Sequence, residues 1–146
     1  MDRRRYLVAA GTTAALSLAG CLGLAAEGDQ EYDVGMRPNA FDPATVTIAT
    51  GETVVWKNTG TRDHTVTAYE NSLPDGAAYF ASGGYDSEQA ARDAWATDTG
   101  GALSNGDQFS HTFEIPGEYE YLCIPHETGG MMGTIVVEDR TPTATE

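Results

Sequence analysis

The sequence predicts an all-β sandwich with one long insertion carrying a short helix, and three observations predict it. Short segments alternate polar and apolar residues, Gly, Pro and Asn punctuate them at close intervals, and one stretch, Tyr69 to Gly106, breaks that rhythm with a helical pattern. A chain of 146 residues has room for one such domain and not for two.

Taken in order, Thr45-Val46-Thr47-Ile48 alternates, Gly51-Glu52 makes a turn, and Thr53 to Asn58 follows as the expected hairpin partner, closed by Asn58-Thr59-Gly60. His64 to Ala68, Phe109 to Ile115, Glu118 to Cys123 and Thr134 to Glu138 read as further strands, and Tyr32 to Met36 as a strand pairing at an edge. Inside the insertion, Ser87 to Trp95 reads as a short helix with Ser87 or Asp86 as its N-cap. A connection this long in a compact domain is usually functional or partly disordered. Trp56, Phe113, Tyr119 and Tyr121 are expected in the core, while Met36 fits either core or rim. His111, between the inward-facing Phe109 and Phe113, is expected to point to solvent and is left out of any site. Asp75, Asp86, Glu88 and Asp93 read as a solvated face.

The N-terminus has the anatomy of an export signal. Arg3, Arg4 and Arg5 precede a run of mostly apolar or small residues, Tyr6 to Gly20, that ends at Leu18-Ala19-Gly20-Cys21. The run falls short of the ~20 strongly apolar residues a membrane span needs. Its front resembles a twin-arginine signal and its end a lipobox, in which cleavage before Cys21 is followed by lipid attachment to the sulfur. The expected organisation is a signal peptide over 1–20, a lipidated N-terminus and tether over 21–31, the folded domain over 32–139 and a flexible Thr-rich tail over 140–146.

The formal charge is −14, and losing Met1 to Gly20 removes three arginines and one aspartate, which takes it to −16. Such acidity excludes nucleic-acid binding as a reading and leaves no polybasic patch for anionic lipid. An acidic, lysine-poor balance resembles that of proteins from extreme halophiles, where dense salt screens self-repulsion.

Cys21 and Cys123 are the two cysteines. With Cys21 lipidated, Cys123 is the sole thiol, no intramolecular disulfide can form, and metal ligation gives an exported lone thiol its reason. Cys123-Ile124-Pro125-His126-Glu127-Thr128-Gly129-Gly130-Met131 places a thiolate, an imidazole and a thioether on one tight loop. That donor mix favours copper over magnesium, calcium or manganese, and two imidazoles, a thiolate and a weak axial thioether form the blue-copper set. His64, opening a strand far upstream, is the natural second imidazole. In Tyr119 to Cys123 the odd positions share a face, so the thiol continues the side that buries two tyrosines.

Cys-x-Pro-His-x-x-x-x-Met, with Phe41-Asp42-Pro43, Gly51 to Asn58, His64-Thr65-Val66 and Gly117 to Tyr121, resembles the plastocyanin-type cupredoxins. Together with the lipobox, the acidity and the glycine-rich insertion, the chain looks most like a halocyanin. The resemblance covers about Tyr32 to Glu138. It implies a Greek-key β-sandwich holding one copper ion, with His64 and His126 as equatorial nitrogens, Cys123 as equatorial thiolate and Met131 as weak axial sulfur. Spacing favours Met131 over the adjacent Met132 for that role. The resemblance further implies a monomeric one-electron carrier on the outer face of the cell membrane. It would exchange electrons with membrane-associated redox proteins through the exposed edge of His126, ringed by Pro125, Gly129, Gly130 and Met132. Two positions depart from the plant-type pattern: Thr65 replaces the usual asparagine after the first histidine, and Ile124 the small hydroxyl residue after the cysteine. That pair often braces the ligand loop, so the brace is left open here.

Other chemistries fit less well. A copper oxidase or nitrite reductase needs a second cluster that three histidines cannot supply, and a dinuclear electron-entry site needs two bridging cysteines. A Cys123–His126 protease pair would need an open cleft and a free base rather than a crowded sulfur-rich loop. A copper carrier and a non-redox zinc site use the same donors and are separated from electron transfer only by experiment.

Overall fold

The computed structural model describes residues 32–141. The readings placed on 1–31 and on 142–146, among them the signal peptide and the lipidation of Cys21, lie outside the described residues.

Among the described residues, eight strands form two four-stranded sheets. One sheet holds β1 (Val34–Arg37), β2 (Ala40–Asp42), β4 (Thr53–Asn58) and β6 (Gln108–Thr112), in the order β2-β1-β4-β6. The other holds β3 (Thr45–Ala49), β5 (Thr67–Ala68), β7 (Gly117–Leu122) and β8 (Met132–Glu138), in the order β3-β8-β7-β5. The expected sandwich forms, with the crossovers between non-consecutive strands that a Greek-key arrangement requires.

One expected pairing does not form. β3 and β4 are not a hairpin: β3 runs parallel to β8 from Thr45↔Thr134 to Ala49↔Glu138, whereas β4 runs antiparallel to β6 and parallel to β1. The Thr50-Gly51-Glu52 connection carries the chain from one sheet to the other. Gly51 has φ +87°, and the Glu52 carboxylate accepts the Ala49 N–H at 2.7 Å. Splitting the strands lets Ile48 and the pair Val54 and Trp56 enter the core from opposite sheets. Nor does the Tyr32–Met36 segment lie at an edge: β1 is paired on both sides, by β2 with Met36 facing Phe41 and by β4, and the edges of that sheet are β2 and β6.

The core is aromatic. Trp56 lies edge-on to Tyr121 at 5.3 Å between ring centroids and stacks on Phe80 at 6.0 Å, while Phe41 meets Tyr121 at 4.6 Å. Tyr121 faces Gly133 across β7 and β8, and a Cβ on Gly133 would lie 2.5 Å from the tyrosine ring, so only glycine admits it. Met36 is fully buried.

His111 does not point to solvent. Residues 109, 111 and 113 share parity, so an extended chain puts His111 on the same side as both phenylalanines. Its ring lies 4.7 Å from Phe80 and 4.7 Å from Phe113, and burial holds its pKa below the ordinary imidazole value. It is still no part of the metal-type cluster described below.

The insertion is ordered. Its helix, α1, runs Glu88–Asp98, and Ser87 caps it by accepting the Ala90 N–H at 3.1 Å. Phe80 is buried on Trp56 and Phe113, which joins the insertion to the core and contributes about 1.5–3 kcal/mol. Asp75, Asp86 and Asp93 are exposed as expected, but Glu88 is not simply solvated: it pairs with Arg92 at 2.9 Å.

Candidate metal centre

Alternation along β7 brings Cys123 to the top of the core, because Tyr119, Tyr121 and Cys123 share the inward side and all three are buried. Pro125, which needs no backbone donor and has a preset φ, then starts a 3-10 helix over Ile124–Gly129. Gly130, at φ +92°, ends it and turns the chain back. The loop closes on itself: the His126 N–H donates to the Cys123 carbonyl at 3.1 Å, the Met131 N–H to the His126 carbonyl at 3.2 Å, and the Cys123 N–H to the Met131 carbonyl at 3.1 Å. Cys123 and Met131 are fully buried, while His126 is half-buried.

His64 arrives from the other direction and is also fully buried. Its backbone exchanges both hydrogen bonds with Leu103, at 3.1 and 2.7 Å, in an isolated bridge. Asn58, also buried, ties the preceding turn: its amide nitrogen donates to the Arg62 and Leu103 carbonyls, each at 2.7 Å, and its carbonyl accepts the Gly60 N–H at 2.9 Å. The residue before the first histidine loop thus fixes where that histidine emerges.

The three side chains converge. Cys123 Sγ lies 3.5 Å from His64 Nδ1 and 3.3 Å from His126 Nδ1, and all three donor atoms fall within 4.8 Å of one another. A sulfur and a nitrogen bound to one first-row metal at ordinary bond lengths would be about 3.6–3.8 Å apart, so little adjustment is needed. Burial pushes the Cys123 thiol up to about 11, although backbone donors from Thr65 and His126 oppose the shift. Burial also lowers His64 to about 4, helped by the charge His126 would carry, and lowers His126 as well. His64 Nε2 has no polar partner, which gives a second proton on that ring no stabilisation. At neutral pH the metal-free site is therefore a thiol beside two neutral imidazoles, dry and sulfur-rich. That donor set suits copper, whose charge would displace the thiol proton.

The family described as copper binding proteins, plastocyanin/azurin family, matches residues 26–138. The chain belongs to that family. Plastocyanin of Scenedesmus fuscus is 35% identical over 98 residues, covering 67% of this chain and 86% of that protein. Chloroplastic plastocyanin of Chlamydomonas reinhardtii is 32% identical over 137 residues, covering 92% and 83%. Pseudoazurin of Methylobacterium extorquens AM1 shares the fold with a TM-score of 0.52 at 24% identity, over 73% of this chain and 74% of that one. This is a copper-binding family of electron carriers, and the converging His64, Cys123 and His126, with the buried Met131 on the same loop, are consistent with a single copper site.

Within this plastocyanin/azurin-family site, the brace left open by Thr65 and Ile124 is present in another form. Thr65 Oγ1 accepts the Ile124 backbone N–H at 2.9 Å and meets Thr67 Oγ1 at 2.9 Å, and the Thr65 N–H donates to Cys123 Sγ at 3.4 Å. A main-chain donor needs no particular side chain at position 124, which is why isoleucine is tolerated there. Other supports have weaker sequence signals. Leu103 is an ordinary apolar residue 39 positions after His64, and Ser82 Oγ, which accepts the Val66 N–H at 3.1 Å, sits among glycines. Tyr69 and Arg92 reach Glu127 from the insertion: Tyr69 donates to it at 2.6 Å and Arg92 at 2.9 and 3.2 Å. A Tyr, an Arg and a Glu dispersed over 59 positions carry no motif.

Proposed function

We propose that this chain is a halocyanin-type, lipid-anchored one-electron carrier rather than an enzyme, working on the outer face of the cell membrane. The observation that carries the redox reading is the fully buried Cys123 thiol with two imidazole Nδ1 atoms at 3.3 and 3.5 Å. His64, His126 and Cys123 would hold the ion as its strong donors, and Met131, fully buried and backbone-linked to both loop ligands, would add a weaker thioether. Copper supplies a one-electron change between its two common oxidation states when bound there. The chain's own residues hold the donors in place, exclude water from the thiolate, and leave one ring edge reachable from outside.

Support for that port is geometric. His126 is half-buried on a loop whose Thr128, Gly129 and Gly130 are exposed, and Met132 beside it is 46% exposed, the one exposed large apolar residue among those described. A small apolar rim around one ligand suits brief docking of redox partners. Among the described residues no helix is long and apolar enough to cross a membrane, so attachment in this reading rests on lipid at Cys21. Membrane-associated redox proteins are then the donor and acceptor, the carrier is monomeric, and the acidity fits a salt-rich exterior.

The test is a visible spectrum of the exported protein loaded with Cu(II), repeated after ascorbate and for Cys123→Ser. An intense blue band that bleaches on reduction and is missing in the variant is expected. A folded, copper-loaded protein without that band removes the electron-transfer reading in favour of zinc binding or copper(I) delivery. For the anchor, metabolic labelling with a fatty acid should mark the wild type and not Cys21→Ala.

A further inference from the structure

The insertion touches both histidine-bearing segments. At one end Leu103 holds the His64 backbone from both sides, and Ser82 binds Val66 while donating to Gly101 at 2.7 Å. At the other end Arg92 of α1 presents both terminal nitrogens to both Glu127 oxygens, at 2.9 and 3.2 Å, and Glu127 directly follows His126. The arginine is itself oriented: its Nε donates to Glu88 Oε2 at 2.9 Å. Glu88 and Glu70 then lock the helix start to the chain after β5, each carboxylate accepting the other's backbone N–H, at 2.9 and 3.1 Å. Tyr69 donates its single hydroxyl proton to Glu127 at 2.6 Å, leaving the Met132 sulfur at 3.3 Å as a packing contact.

A lone exposed ion pair contributes little. This one differs in three respects: it is a two-pronged fork, its side chains are only 31% and 29% exposed, and both partners have further bonds that fix their direction. The loop also has few other tethers. Its 3-10 turn buries no residue, and beyond its internal bonds and the Arg92 fork the Glu127 to Gly130 stretch has the Tyr69 hydroxyl on Glu127, at 2.6 Å, and the Asn39 amide on the Gly129 carbonyl, at 3.3 Å.

We infer that the insertion is a clamp on the ligand loop, with Arg92 as a positioning residue that sets His126 through Glu127. Its task is to keep the half-exposed histidine as well placed as the buried one, so that little rearrangement accompanies a change of copper charge. This role rests on the copper reading above. The clamp itself is a property of the metal-free fold and is measured separately.

The experiment compares wild type with Arg92→Leu and Arg92→Lys by amide hydrogen exchange of the metal-free protein. In Arg92→Leu the Gly130 and Met131 amides, which close on the Glu127 and His126 carbonyls, should exchange at least fivefold faster, while Tyr121 and Ile135 in the core stay unchanged. After copper loading, electron self-exchange should slow at least threefold with the visible band retained, and Arg92→Lys should recover part of both effects. Unchanged exchange at Gly130 and Met131 would overturn the clamp, whatever the copper result. A colourless wild type with accelerated loop exchange in the variant would instead keep the clamp and remove the copper reading. Should Arg92→Leu lose core protection, Arg92→Lys decides alone: without the fork its loop amides must speed up at least twofold, or the proposal fails.

Discussion

The two histidine segments reach the same thiol by opposite means. His64 is sealed in the interior, its backbone bonded on both sides to Leu103 and its preceding turn tied by a buried asparagine. His126 stands on a short glycine-rich turn at the surface and is held by its own loop bonds and by a carboxylate neighbour. The difference separates two jobs that one site has to do. In the carrier proposed above, a sealed ligand would give the metal a fixed point of reference, and an open ligand would give electrons a short way out.

The largest expected effect tests that division directly. His64→Gly and His126→Gly should each lower copper affinity by more than about 100-fold, since loss of a supporting residue alone costs about 10–100-fold. They should part in every other respect. Removing the buried ring leaves a cavity and should cost about 2–5 kcal/mol of folding stability, whereas removing the half-exposed one should cost little. Added imidazole should restore the blue band of His126→Gly from solvent, and His64→Gly should need at least tenfold more. Equal rescue and equal melting temperatures would show that the two ligands are not differently enclosed.

How much of this was legible in the sequence follows from the same contrast. The ligand loop is contiguous, so Cys123, Pro125, His126 and Met131 declare themselves by spacing, and the alternation of Tyr119, Tyr121 and Cys123 carries the thiol's burial. His64 could be picked because few histidines compete. What holds His64 is distant in the chain and chemically ordinary, so Leu103 and Ser82 gave no signal. β3 and β4 look like a hairpin because a glycine turn joins two alternating segments, and only the need to fill the core from both sides sends them to different sheets. The solvent-facing expectation for His111 fails on parity alone: with period two, position 111 shares a face with Phe109 and Phe113, and its ring packs on Phe80 and Phe113.

Acid and base sharpen the comparison at intermediate size. Copper binding at neutral pH must displace the Cys123 proton, held at about 11 by burial, while both imidazoles are already neutral. Affinity should therefore rise about tenfold per pH unit from neutral towards pH 11, with about one proton released per copper. Below the lowered His126 value a second proton competes and the dependence should steepen. The metal-free fold gives the opposite trend at high pH. The thiol value is raised from 9.0 to about 11, so its contribution is complete below pH 9 and is lost as pH rises towards 11. His64 is lowered from 6.5 to about 4, so stability falls as pH drops across that interval. Melting temperature should be flat between about 6.5 and 9 and decline on both sides; loading with copper should remove the decline between about pH 9 and 10, while Tyr69, Tyr79, Tyr119 and Tyr121, whose values burial also raises, keep a decline above about pH 10. A copper-loaded protein that still loses stability between about pH 9 and 10, below the ordinary tyrosine range, would mean that the thiol is not the ligand.

The smallest effect on the site, and the most informative about the open side, is expected at Met132. Its side chain is exposed at the end of the His126 loop, with its sulfur 3.3 Å from the Tyr69 hydroxyl, while its backbone lies in β8 opposite Leu122, so its replacement leaves the ligand loop's closing bonds intact. Met132→Glu should leave the visible spectrum unchanged and slow both self-exchange and reduction by a partner. Two acidic molecules would then meet across like charges, and raising the salt concentration should recover much of the loss. The sealed side provides the control: an added carboxylate at exposed Asn105, near the turn that precedes His64, should change neither rate, because no ring edge opens there. If Met132→Glu bleaches the protein, the second methionine belongs to the site and the port lies elsewhere. If both substitutions slow exchange alike, overall charge rather than the His126 rim governs encounter.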